Sequence, residues 1–84
     1  MNTTHLVITP LQLSDHLKAI RKQLGMTQAD IAAHLGLSQN RVSHLENHPE
    51  DISFRQLLAW AAALNLRVGF THKETEAAAH KAEW

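Results

Sequence analysis

The sequence predicts a mainly helical domain of four or more helices, with one strand near its C-terminus. Two observations carry that fold class. Four segments open with a side-chain cap bracketed by apolar residues, and after Asn65 the apolar period shortens from that of a helix to that of a strand. A third observation bounds the answer. Eighty-four residues at 44% hydrophobic content leave room for one small core, and a chain of this size buries only roughly 60% of its unfolded surface, so it leans readily on a partner.

The first helix starts at Thr9-Pro10-Leu11-Gln12. Thr9 caps, Pro10 suits the first helical position, and Gln12 completes a capping box, while Ile8 and Leu13 form a hydrophobic staple. Leu13, Leu17, Ile20 and Leu24 then recur at helical spacing, with Lys18, Arg21 and Lys22 on the other side, and Gly25 suits a left-handed stop. The second helix is capped by Thr27, stapled by Met26 and Ile31, and runs from about Gln28 to Leu35, stopping at Gly36. The third is capped by Ser38, stapled by Leu37 and Val42, and runs from about Gln39 to Asn47, ahead of Pro49. The fourth is capped by Ser53, with Gln56 closing a second capping box and Ile52 and Leu57 as staple. It carries Leu57, Leu58, Ala61 and Leu64 on one face, and Trp60 belongs to the core or a dimer interface.

Beyond it, Leu66, Val68 and Phe70 alternate with Arg67, Gly69 and Thr71. A lone strand leaves an unpaired row of backbone groups, which a two-fold dimer satisfies by pairing the strand with its own copy. The expected organisation is an N-terminal arm or short strand over residues 1–8, containing Leu6-Val7-Ile8. A helical domain over 9–65, a dimerisation strand over 66–72 and a mobile tail over 73–84 follow.

Several classes are excluded. The chain has no cysteine, so it is no disulfide scaffold, and no run approaches the roughly 18 apolar residues of a membrane span. The first ten residues lack Lys and Arg and do not read as a signal peptide, so a soluble cytoplasmic protein is expected. His44 and His48 have the spacing of a zinc pair, but a structural zinc needs about four N or S ligands and no second pair exists. Ser14, Asp15 and His16 are adjacent on one helix and point in different directions, and no nucleophile motif supports hydrolase chemistry. No enzyme, metal or cofactor is expected.

Residues 28–47 hold a more demanding pattern. Two helices crossing at roughly 90–120° across a turn of about 3–4 residues need a small residue at the crossing and a turn residue tolerant of positive φ. Ala32 and Gly36 meet those needs, Val42 faces back into the angle, and Ile31, Leu35, Leu37 and Leu45 fill the core around them. This is a helix-turn-helix.

The string MTQADIAAHLGLSQNRVSHLEN resembles the lambda-repressor-type (Cro/C1, XRE) DNA-binding family, through Thr27-Gln28, Ile31-Ala32, Leu35-Gly36, Leu37-Ser38, Val42-Ser43 and Leu45-Glu46-Asn47. The resemblance implies a lambda-repressor-like domain whose third helix enters the major groove of a palindromic operator. Gln39 is then the main base reader and Asn40 its neighbour, with Ser43, Arg41 and His44 on the same surface. Gln28 resembles the family's phosphate clamp, and Thr27, Ser38 and Asn47 join it at the backbone. A domain of this kind followed by one strand (Leu66, Val68, Phe70) and a tail ending Glu83-Trp84 is similar to the HipB antitoxins. That likeness implies a homodimer that represses its own operon and captures a HipA-like serine/threonine kinase toxin, with Trp84 as an anchor. A stand-alone phage-type or chromosomal repressor and a protein-binding adaptor are the alternatives.

A formal net charge of zero first looks adverse, since domains that bind nucleic acid through bulk charge usually have a pI above about 9. The charge is uneven. Lys18, Arg21, Lys22 and Arg41 lie on the N-terminal face and motif, whereas Glu74, Glu76 and Glu83 lie in the tail. Binding by charge alone is excluded, and binding by base contacts and helix N-termini is not.

Overall fold

The computed structural model describes residues 4–73. Among these, four α-helices follow one another: α1 (Pro10–Gln23), α2 (Gln28–Leu35), α3 (Gln39–Asn47) and α4 (Phe54–Ala63), with a 3₁₀ turn, Pro49–Asp51, between α3 and α4. Each helix starts on its expected cap. The Thr9, Thr27, Ser38 and Ser53 hydroxyls accept from the backbone N–H groups of Gln12, Asp30, Arg41 and Gln56. Three caps are reciprocal, because Gln12, Asp30 and Gln56 reach back to the cap residue's own N–H. Asp30 in that role was not anticipated. Its short carboxylate does the work that Glu or Gln usually does.

Three helix ends share one device. Gly25, Gly36 and Asn65 take positive φ (70°, 69° and 60°), and the following N–H returns to a carbonyl five residues earlier. These bonds run from Met26 to Arg21, from Leu37 to Ala32, and from Leu66 to Ala61. The apolar residue after each turn then packs on the core. Met26 and Leu37 therefore close one helix and staple the next, which explains how such short turns join these helices tightly.

α2 packs against both α3 and α4, and α1 lies against α3 and the 3₁₀ turn. The core between them is Leu17, Ile31, Ala32, Val42, Leu45, Trp60, Ala61 and Leu64, all buried. Trp60 is fully buried, so it is a core residue within a single chain, and its indole N–H finds no acceptor among the described residues. No helix among the described residues is long and apolar enough to cross a membrane.

Three expectations are corrected. Ile8 is 81% exposed, so the first staple stays open. Leu58 is exposed as well, and the inner face of α4 is held by Leu57, Trp60, Ala61 and Leu64. Arg21, read as part of a basic face, is buried. Residues 66–72 form no strand in the single chain, where the described residues offer them no ladder partner. Leu66 is drawn into the core, while Val68 and Phe70 stay exposed.

Candidate nucleic-acid interface

The geometry of α3 follows from its alternation of buried and polar positions. Val42, Leu45 and Glu46 point inward, whereas Gln39, Asn40, Arg41 and Asn47 are exposed and Ser43 and His44 are half-buried. The side chains of Gln39 and Asn40 make no hydrogen bond among the described residues, so their amide groups are unspent. Asn47 differs, because its Nδ2 donates to the Ser43 carbonyl at 3.1 Å. The His44 Nε2 lies 2.9 Å from Asp51 Oδ2, and its ring stacks on His48 with centroids 4.6 Å apart.

Glu46 is the latch that fixes α3. Its carboxylate accepts from Arg21 Nε at 2.7 Å, from Arg21 Nη2 at 3.2 Å and from Gln28 Nε2 at 2.9 Å. The Ser14 hydroxyl donates to the Glu46 carbonyl, satisfying one of the free carbonyls in the last turn of α3. Arg21 spends a further N–H on the Met26 carbonyl at 3.0 Å. One glutamate thus ties α3 to α1, to the loop after it and to the start of α2. Sequence reading missed this centre because partners 25 and 32 residues apart carry no local signal.

The expected phosphate group is partly engaged internally. Gln28 is half-buried with its amide nitrogen on Glu46, which leaves its side-chain oxygen and its backbone N–H at the first position of α2. Thr27 and Ser38 accept helix N–H groups through their hydroxyl oxygens, and Ser38 keeps its own proton to donate. Thr27's backbone N–H holds the Asp30 carboxyl below its ordinary value, with a smaller contribution from the Thr27 hydroxyl. Helix N-termini remain the natural place for a phosphate here.

Charge is modest. Residues 4–73 carry Lys18, Arg21, Lys22, Arg41, Arg55, Arg67 and Lys73 against Asp15, Asp30, Glu46, Glu50 and Asp51. Arg21 and Glu46 neutralise each other inside the fold. The small positive excess is therefore at the surface. Among the described residues no cluster of His, Asp or Glu could hold a metal ion. Trp84 lies outside the described residues.

A helix-turn-helix family model matches residues 17–70, from the middle of α1 through α4 and into the segment after it. The chain belongs to that family. It is also similar to the protein named antitoxin HipB from Escherichia coli O6:H1 strain CFT073, at 32% identity over 60 residues, which is 71% of this chain and 64% of that protein. Antitoxin HipB of Escherichia coli K12 matches at 30% over 60 residues, 71% of this chain and 68% of that one. The chain thus spans about two thirds of the length of these relatives. Among solved structures, one chain of the "HipA-HipB-O2-O3 complex" superposes with a TM-score of 0.75 at 26% identity, covering 83% of this chain and 99% of its own. The chain of the "HipB-O4 20mer complex" gives the same values.

Proposed function

We propose that this chain is a dimeric, sequence-specific DNA-binding repressor and the antitoxin of a HipA-like serine/threonine kinase toxin, autoregulating its operon. The observation that carries this reading is the free polar surface of α3, with Gln39 and Asn40 unspent at its N-terminus, on a helix-turn-helix frame shared with HipB. Gln39 and Asn40 read bases in the major groove, where either amide can bridge the N6/N7 edge of adenine. Ser43 reads weakly beside them, and Arg41 pairs with a guanine or a phosphate. His44 stands next to these residues on α3, with its distal nitrogen at Asp51. The Thr27 and Ser38 hydroxyls, the backbone at Gln28 and the side chain of Asn47 contact phosphates.

Residues 66–72 pair with the same segment of a second copy, joining Val68 and Phe70 across the two-fold axis beside Leu66. Phe70 is 95% exposed in the single chain, which supports a role against a partner. The acidic tail and Trp84 bind the toxin. Deleting Trp84 is expected to weaken capture of the kinase in a pull-down and to leave operator binding by the isolated dimer intact. Loss of both functions, or of neither, would contradict an anchor role.

A further inference from the structure

The 3₁₀ turn that follows α3 folds Asp51 back onto the recognition helix. Asp51 Oδ2 lies 2.9 Å from His44 Nε2, with the two side chains 49% and 41% exposed. An ionised carboxylate only accepts hydrogen bonds, so the proton of the neutral His44 ring sits on Nε2 and is donated to Asp51. The ring face is braced by His48, stacked at 27° between planes, and Glu50 lies 3.5 Å from His48 Nδ1. Nε2 is the far tip of the histidine, and its N–H is the donor with the longest reach into a groove. Here that donor is spent within the chain.

We propose that Asp51 is a specificity-determining residue: it holds the His44 imidazole by its distal N–H and so keeps the ring from reading bases. This rests on the DNA-reading role of α3 and goes beyond it. Base choice is left to Gln39 and Asn40 with their neighbours Ser43 and Arg41, and His44 becomes a reader only when Asp51 releases it. The chemistry of the released reader is defined. A free Nε2–H is a donor, and guanine offers two adjacent major-groove acceptors, N7 and O6. Asp51 is a positioning residue that acts through His44 and makes no base contact itself.

The test is selection of DNA sequences from a random pool at pH 8, using the full-length protein and its Asp51→Ala, Asp51→Asn, His44→Ala and Asp51→Ala/His44→Ala variants. Asp51→Ala is expected to gain a guanine preference of about three- to tenfold at one position per half-site, the size of one hydrogen bond. The double variant is expected to lose that gain, and His44→Ala alone to keep the parent's base preferences. Asp51→Asn keeps an acceptor for Nε2–H without the charge, and is expected to read as the parent does. An Asp51→Ala protein that binds every sequence more tightly without new preference would mean only that a negative charge had been removed, and would overturn the proposal. A base preference altered by His44→Ala alone would overturn it equally. If the parent protein selects no sequence at all, the DNA-reading role itself fails, and this proposal with it.

Discussion

Removing the Glu46 carboxylate takes away the one buried anion that joins α1, α2 and α3 among the described residues. Glu46 is 2% exposed and Arg21 8%, so Glu46→Ala leaves a guanidinium nearly without water and without its partner. Breaking a buried pair from one side costs about 3–5 kcal/mol. A chain of this size has about 4–13 kcal/mol of total stability, at roughly 0.05–0.15 kcal/mol per residue. The variant therefore loses a large fraction of its stability. At about 4–8 °C per kcal/mol for a small domain, Tm falls by at least about 12 °C in a thermal melt followed by circular dichroism. The companion variant Arg21→Met/Glu46→Leu removes both charges and fills the space with apolar groups. It is expected to recover most of the loss, because the attraction of a buried pair roughly offsets its desolvation. A Glu46→Ala protein within about 4 °C of the parent would refute this reasoning, since Arg21 would then have to be solvated or paired elsewhere.

Two other changes isolate local causes. Gly36→Ala meets no atom within 4 Å of the added methyl, so its cost is conformational. At a φ of 69° that cost is about 1–2 kcal/mol in chemical denaturation, and a neutral result would mean the turn relaxes out of the left-handed region. The Asp30 carboxyl is held low chiefly by the Thr27 backbone N–H, so the α2 capping box is intact above the ordinary aspartate value and is lost as pH falls through the lowered one. An NMR titration should show Asp30 and the Thr27 amide moving together below that ordinary value. Titration of Asp30 at or above it would contradict the bond.

What could be read from the sequence was local. Thr9, Thr27, Ser38 and Ser53 declare helix starts because a cap and the N–H it accepts are three residues apart, and Gly25 and Gly36 declare ends because few residues accept positive φ. Ala32 and Val42 declared the crossing of α2 and α3 because that contact is short in sequence and demanding in size. Arg21 was misread for the opposite reason. Its place on the polar side of α1 marks it as solvent-facing until Glu46, 25 residues later, folds against it. The polar face of α3 was legible from periodicity, but Asp51 was not, because its reach to His44 depends on how the Pro49 turn folds back. Residues 66–72 carry the period of two that marks a strand, yet form none in the single chain, because a ladder is a pairing and not a property of one segment.

The central claim is that α3 reads operator bases with its N-terminal amides. Fluorescence-anisotropy titration of Gln39→Ala against the operator and against unrelated duplex of equal length tests it most directly. The expected result is a loss of about 1–3 kcal/mol for the operator, roughly five- to 150-fold in Kd, with affinity for the unrelated duplex unchanged. Equal operator affinity for Gln39→Ala and the parent protein would contradict it.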